Sequence, residues 1–599
     1  MRFSQMLIRK KGVKAMKQIF NFQDRLRGLN DAIARYPLTT AFLLAAAVMN
    51  ALDISTEKDY SKFLITFVVG AFLGAVVQVA YERFFYKSVS RVILMGAAVL
   101  LTAGYYLIIM QAPKLGMEIG IRTSVALFAL LIAFIWVPVI KSEISFNESF
   151  MATFKSYFNS LFFSGVILGG ICIIIAAVDQ LLFPVDYKSY SHTANIVFVL
   201  FAPMYFLSLI PVYPGEGDKE KIESAAHCPK FLEILISFIL IPLVAVFTII
   251  LLIYIIRNIG GKFWTDNLLE PMLVSYSITV ILLYILASRL ENKFAIFFRR
   301  IFPKVLVPIV LFQIVSSVLS LAGTGITHTR YYVILFGIFA AAAGVVLSIV
   351  PIRKNGIIAA MLIVFALVSI VPPVDAFTIS RRSQIVILKN VLLKNHMLDN
   401  NIIKPNASIP EEDKNTIVKA IDYLNMMEYT NRIEWLPGDF SRYDDFYKTF
   451  GFNEYEAPGN INQQVYLSIE QETPIDITGY DSFVHFNVNI PGDNINDNIG
   501  DIVKSGKNYT LTKDTTKDQC DIYLMGENKK ELMRFSTREI FDRFNNYNAS
   551  KGFIPTDQAS FTKENGLAKI TFVVQSLNMD KTPNQAYYGA DIYAFVKIK

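Results

Sequence analysis

The stretch FLEILISFILIPLVAVFTIILLIYII, Phe231 to Ile256, decides the fold. It carries one carboxylate, Glu233, near its start, and it is far longer than a helix buried in a soluble core needs to be. In hydrocarbon every backbone N–H and C=O must be paired within its own segment, so a run of this length and composition reads as a membrane-crossing helix. Working outward, Leu38 to Pro373 is a ladder of about eleven such runs, at roughly 38–53, 62–81, 92–111, 120–140, 158–182, 193–213, 231–256, 270–288, 304–325, 331–350 and 356–373. The first is the shortest, continuously apolar only from Leu38 to Leu52, so taken alone it also fits an interfacial helix. From Asp375 to Lys599 the chain reads as a water-soluble domain.

The composition agrees with this division. Hydrophobic residues make up 53% of the 599 and charged residues 18%, with a mean hydropathy of +0.41, whereas soluble domains carry about a quarter charged residues. Of the 57 Lys and Arg and 50 Asp and Glu, about 32 and 20 precede Ala376, leaving about 25 and 30 after it. The membrane half is basic and the head mildly acidic, which argues against a nucleic-acid surface.

Loop charge sets the expected orientation. With the basic tail (Arg2, Arg9, Lys10, Lys11, Lys14, Lys17, Arg25, Arg27, Arg35) in the cytoplasm and the first run crossing, inside loops hold about fifteen Lys and Arg against about eight outside. An odd number of crossings then exports the C-terminal domain. The expected layout is a basic cytoplasmic segment over 1–37, a transmembrane bundle over 38–373 and an extracytoplasmic α+β domain over 374–599. No cleavable signal is expected, because the first apolar run starts after about 37 residues and leads into Leu52-Asp53. Ile19 to Ile33 reads either as an amphipathic surface helix or as a solvated leader. Of the three cysteines, Cys172 and Cys228 fall in the membrane half and Cys520 stands alone in the head, which must therefore fold on its apolar core.

Within the head the period changes. Ile379 to Leu398, a segment opened by Pro410-Glu411-Glu412-Asp413 and running through Met427, and Asp439 to Phe450 read as helices, the second with acids in the turn where the helix dipole favours them. From Gln464 the period is two: Val465–Ile469, Phe483–Val488, Asp521–Leu524, Ile570–Val574 and Ile592–Val596 read as strands, with a helix over Thr537 to Phe544. The fold class is a polytopic α-helical membrane bundle followed by a soluble α+β domain with a mostly antiparallel sheet.

Three segments carry a family resemblance: Gly325-Ile326-Thr327-His328-Thr329-Arg330-Tyr331-Tyr332, Pro372-Pro373-Val374-Asp375-Ala376-Phe377-Thr378-Ile379-Ser380-Arg381-Arg382-Ser383-Gln384, and Phe450-Gly451-Phe452 with Ile477-Thr478-Gly479-Tyr480-Asp481. With many spans followed by a terminal head, the chain resembles the bacterial membrane proteins of domain-of-unknown-function family 4153. The resemblance implies a polytopic bacterial membrane protein without an assigned activity, and it transfers no catalytic residue.

Candidate ligand-binding residues are Thr327, His328, Arg330 and Tyr331 at the Gly325 to Tyr332 turn, with Asp375 beside them in the exit segment. Two potential cations and two hydroxyls at one outer membrane boundary suit a phosphate or carboxylate. The plainer reading is that Arg330 snorkels, the tyrosines join the aromatic belt and the glycines make a tight turn. Gln78, Asp179 and Gln313 are the candidate intramembrane polar groups; interhelical hydrogen bonds are the plainer reading for a lone Gln. Pro203, Pro211, Pro242 and Pro308 either break helices around a cavity or kink them. Asp493 to Asp501 has the composition of a calcium loop but fails its spacing, with Ile495 at the third position, so it reads as a polar turn.

No Walker loop, nucleophile elbow, zinc-binding His pair or Cys-x-x-Cys is present, and the five histidines are scattered. No catalytic residue, metal site or cofactor is expected. The expected partners are the lipid bilayer and an extracytoplasmic protein or small molecule. Three readings follow: a head that binds a partner in envelope sensing or assembly, a secondary transporter or flippase, and a membrane-embedded transferase on lipid-linked substrates built from His328, Arg330 and Asp375.

Overall fold

The computed structural model describes residues 28–599 apart from 57, 86, 214–218, 259–268, 322–323, 439, 453–463, 470–473, 493–494, 517–518, 545–552 and 581–585. Of the basic tail only Arg35 falls among them, and most of the segment from Ile19 to Ile33 lies outside the described residues. The chain forms two compact units. One comprises the residues up to Leu388 together with Asp422–Ile433, the other Lys389–Ile421 with Glu434–Lys599. The division falls after Leu388, inside a helix.

Ten helices among the described residues are long and apolar enough to cross a membrane. They are α1 (Pro37–Ser55), α2 (Ser61–Phe84), α3 (Ser88–Ile109), α4 (Met117–Val139), α5 (Phe146–Leu181), α6 (Lys188–Ser208), α7 (Ile222–Arg257), α9 (Lys293–Leu319), α10 (His328–Ile349) and α11 (Ile352–Ile370). The remaining expected run is α8 (Glu270–Leu286), apolar but shorter. Each expected run thus corresponds to a helix, and the chain is a multi-pass membrane protein.

Helices α5 and α9 start well before their apolar runs. Helix α5 opens at Phe146 on a capping box, in which Ser145 Oγ accepts the Glu148 N–H and Glu148 accepts the Ser145 N–H at 2.7 Å. Its first turns bury Asn147, Ser149, Thr153, Ser156 and Ser160. Ser149 donates to the Ile135 carbonyl at 2.7 Å and Ser160 to the Ala202 carbonyl at 2.6 Å. Polar residues that face protein are invisible to a search for continuous apolarity. Helix α9 opens at Lys293, where Asn292 accepts the Ala295 N–H at 3.0 Å.

The prolines widen or punctuate helices without severing them. A π-helical turn, Ile196–Phe201, precedes Pro203 in α6, and another, Leu235–Leu240, precedes Pro242 in α7. Proline lacks the donor and crowds the carbonyl one turn back, and a wider turn relieves both. Pro303 and Pro308 lie inside an unbroken α9, and Pro211 lies beyond the end of α6.

Polar bonding gathers at the helix ends in two belts. In one, Arg35 makes a bidentate pair with Glu82 (2.9 and 2.8 Å) and donates to the Ile210 carbonyl at 2.7 Å. Arg83 donates to the Ile140 carbonyl at 2.8 Å, and Arg289 pairs with Glu148 at 2.9 Å. At the opposite ends Asn50 donates to Asn195 at 2.8 Å, Lys62 to the Ala112 carbonyl and Arg122 to Asp375 at 2.6 Å. Between the belts the contacts are mostly apolar and close, with a few buried hydrogen bonds such as Thr248 to the Tyr276 hydroxyl at 3.1 Å. A Cβ on Gly344 of α10 would stand 2.9 Å from Val307 Cγ2 and 3.1 Å from the Pro303 carbonyl of α9, and one on Gly337 would stand 2.8 Å from Ile314.

The second unit buries its own core beneath two sheets. A short hairpin of β1 (Leu398–Asp399) and β2 (Ile402–Ile403) and the helices α13 (Glu411–Met426, completed in the first unit) and α14 (Arg442–Phe450) precede them. The larger sheet orders β4 (Ser482–Ile490), β12 (Tyr587–Ile598), β11 (Ala568–Asp580), β3 (Gln464–Ile469) and β9 (Phe553–Ile554), with β10 (Ser560–Glu564) also on β11; only β3 and β9 run parallel. The smaller is an antiparallel meander of β5 (Ile495–Lys504), β6 (Lys507–Thr515), β7 (Cys520–Met525) and β8 (Glu531–Ser536). Leu467, Val488, Leu511, Leu524, Phe572 and Ile592 of both sheets share one apolar core, joined by Phe541 and Phe544 of α15 (Arg538–Phe544). Cys520 is buried and free.

The strand β5 corrects the reading of Asp493 to Asp501 as a polar turn. From Ile495 onward it pairs with β6, with a bulge between Asn498 and Gly500. It is the outer strand of its sheet, where polar side chains blunt unwanted pairing and apolar alternation is not required.

Gly344→Leu should lower the thermal unfolding temperature of the detergent-solubilised full chain, with overpacking of about 1–3 kcal/mol. Val345→Leu, at an exposed position on the same helix, serves as the control, and an unchanged melting profile for Gly344→Leu would deny the close α9–α10 approach.

Candidate functional site

The starts of α4 and α10 and the exit from α11 come together at one end of the bundle, and α12 (Ala376–Lys394) begins there. Asp375 caps α12. Its Oδ1 accepts the N–H groups of Phe377 at 3.0 Å and Thr378 at 3.1 Å and the Nη2 of Arg122 at 2.6 Å, with the side chain fully buried. The second carboxylate oxygen, Oδ2, is buried without a partner. Burial alone would raise this carboxyl, but the Thr378 bonds and the Arg122 charge outweigh it and hold the group below the usual carboxylate range.

Arg122 is the hub. Its Nε donates to Glu118 at 2.9 Å, its Nη1 to the Ile370 carbonyl at the end of α11, and its plane lies 4.8 Å from the Phe377 ring. The Glu118 Oε2 accepts the Tyr429 hydroxyl at 2.8 Å. Burial first and then the Glu118 charge push that phenol well above its ordinary value, while Arg381 and Arg432 each stand 5.5 Å from its ring.

The resembling turn docks beside this cluster. Gly325 adopts φ +67°, and a Cβ there would meet Ile387 at 2.1 Å. Gln384 donates to the Thr324 and Ile326 carbonyls at 3.0 and 3.3 Å, and Ser383 accepts the Ile326 N–H at 3.0 Å. Thr327 caps α10 through the Arg330 N–H. Tyr331 donates to the Val374 carbonyl at 2.6 Å. Tyr423 accepts from the His328 N–H at 3.0 Å and donates to Ser380 at 2.8 Å, so the ring Nδ1, also at 3.0 Å, must carry the proton that completes the set.

All five candidates therefore lie in one compact unit, each with its own protein partner: Thr327 with a backbone N–H, His328 with Tyr423, Arg330 with the Ser320 carbonyl at 2.6 Å, Tyr331 with Val374 and Asp375 with Arg122. Sequence reasoning missed Glu118, Arg122, Tyr423 and Tyr429. The only local signal was the four-residue spacing of Glu118 and Arg122 at the start of a span.

The intramembrane candidates part company. Gln78 is buried but belongs to the Arg35 belt, donating to Glu82 at 2.8 Å and accepting from Arg91 at 3.0 Å. Gln313, fewer than two turns from the opposite end of α9, reaches the Val333 carbonyl at 3.5 Å and leaves Oε1 buried without a partner. One turn on, Ser317 donates to Glu270 at 2.6 Å. Asp179 is exposed and accepts the Val185 N–H at 2.7 Å, closing the turn after α5. Among the described residues no group of three or more His, Cys, Asp or Glu side chains is arranged to hold a metal ion.

A helical bundle closed by interfacial polar belts and followed by an α+β head defines a polytopic integral membrane protein. The chain belongs to the family described as Domain of unknown function (DUF4153), which matches residues 38–402. That match spans the bundle, the Arg122–Asp375 pair and the Gly325 turn, and it stops before the sheets of the head. No curated protein and no solved structure matches the chain.

Asp375→Asn should destabilise the solubilised protein by about 1–3 kcal/mol at pH 7, the range for a lost charge-assisted hydrogen bond, since Arg122 keeps Glu118 as a partner. Because the folded carboxyl titrates below its unfolded value near 4, the wild-type advantage is complete above that pH and is lost as pH falls through the folded value. Thermal melts of the two proteins should diverge at pH 7 and converge in acid; coincident melts at pH 7 would refute the pair's structural role.

Proposed function

We propose that the protein resides in the plasma membrane of a bacterium, its first residues in the cytoplasm and its head on the far side, and that the head binds a protein or small-molecule partner of the cell envelope. The observation that carries the binding reading is an aromatic face on the larger sheet. Phe483 on β4 is 56% exposed, its ring centroid 5.6 Å from that of the half-buried Tyr593 on β12 and 5.4 Å from that of Phe595, which is buried beneath it. His485 lies 5.2 Å from Tyr593, and Lys569 stands 5.2 Å from the Tyr480 ring. Aromatic groups half out of water beside polar ones are the usual material of binding hot spots.

The orientation rests on the loop-charge asymmetry. The separate partners of His328, Arg330 and Asp375 favour a non-enzymatic role over a transferase. A secondary transporter or flippase is the second reading, supported by the bare Oε1 of Gln313 beside the Ser317–Glu270 bond.

An alkaline-phosphatase reporter fused after Lys599 should be active and one inserted in the connection between α8 and α9, at residues 289–291, inactive. The opposite pattern would overturn the exported head. For the transport reading, Gln313→Cys in a background lacking the native cysteines should react with a water-soluble thiosulfonate; protection from the reagent counts against a wet path.

A further inference from the structure

At the membrane face that carries the Arg35 belt, α4 and α11 enclose a groove of about 620 Å³, a volume typical of small-molecule sites, about 300–1,000 Å³. Its mouth is cationic: Lys141 follows α4, and Arg353 and Lys354 begin α11. No carboxylate lines it. All three cations are exposed, and none makes a side-chain hydrogen bond or ion pair among the described residues. The Lys141 backbone is fixed at φ +53°, with its carbonyl taken by Arg83 at 2.6 Å. The inner wall is apolar and continues down α11 through Ile357 and Val364, 43% and 56% exposed toward the region lipid would fill. Trp136 adds an indole N–H at the boundary, close enough to Gly356 that a Cβ there would stand 2.8 Å from Nε1.

We propose that this groove binds one anionic phospholipid, its phosphate held by Lys141, Arg353 and Lys354 and an acyl chain laid along α11. Three unpaired cations without a carboxylate demand a negative headgroup, and basic pockets between transmembrane helices recognise such lipids by this combination of charge and apolar wall. The apolar wall selects a lipid over a free anion, which would gain nothing from three turns of hydrocarbon surface. Lys141 and Arg353 sit on different connections, so the lipid also bridges α4 and α11.

The test is native mass spectrometry of the full chain in detergent with added phosphatidylglycerol or phosphatidylcholine. Wild type should retain one phosphatidylglycerol in preference to phosphatidylcholine. The triple variant Lys141→Gln, Arg353→Gln, Lys354→Gln should bind it about a hundredfold more weakly, the sum of three surface cations. A charge-matched control, Lys507→Gln, Lys529→Gln, Lys530→Gln in the head, should bind as wild type does. Val364→Trp, which fills the wall and leaves the cations, should also weaken retention and keeps the proposal testable if the triple variant fails to fold. Equal retention of both lipids by wild type, unchanged binding by Val364→Trp or by a folded triple variant, or displacement by millimolar inorganic phosphate would each overturn it.

Discussion

Hydrocarbon supplies no hydrogen bonds, and that constraint organises the first unit. A backbone that crosses must be helical, and a side chain that needs a partner must find it in protein or reach an interface. The outcome is visible in where the chain keeps its charge. Arg35, Glu82, Arg91 and Gln78 form one network at one face, and Glu118, Arg122 and Asp375 another at the opposite face. Between them the helices meet through glycine and alanine, as at Gly337, Ala340, Ala343 and Gly344. Close contact supplies there what a hydrophobic effect between helices cannot, since lipid tails are as apolar as the residues they would replace.

Why Arg122 and Asp375 tolerate burial follows from the count of bonds. Removing both ions from water is expensive, and their attraction repays it only where the remaining donors and acceptors are used. Asp375 Oδ1 accepts three donors, two of them the otherwise unpaired N–H groups at the start of α12, where the helix dipole also favours a negative charge. Arg122 spreads its donors over Glu118, Ile370 and Asp375. The one unmet demand is Oδ2 of Asp375. The arrangement fixes the angle at which the chain leaves α11.

The long apolar runs were legible because membrane solvation acts residue by residue, so composition alone marks them. The strand around Phe483 was legible because one buried face imposes period two, and those around Ile570 and Ile592 because short runs of β-branched and aromatic residues suit strands buried on both faces. What escaped was set by neighbours distant in sequence. The first turns of α5 are polar because they face Ile135 and Ala202 and not lipid. The strand from Ile495 to Lys504 is polar because it stands at an edge. The candidates Thr327, His328, Arg330, Tyr331 and Asp375 were found from one local pattern, but Tyr423 and Tyr429, far along the chain, could not be joined to them by any periodicity. Gln78 looked deep because the helix before it is apolar; its partners are Glu82 one turn on and Arg91 of α3, and Glu82 in turn pairs with Arg35.

Helices α4 and α11 carry features of both faces. Near one end, Arg122 of α4 holds the last carbonyl of α11 and the carboxylate that follows it. Near the other, Trp136 of α4 packs so closely on Gly356 of α11 that a methyl group would not fit. A pair pinned at both ends has little freedom to slide or rotate, because packed interfaces have discrete arrangements and not a continuum of them. An occupant of the groove between Trp136 and Arg353 therefore meets a preformed surface, and its binding free energy goes into stabilising that pair and not into reordering it.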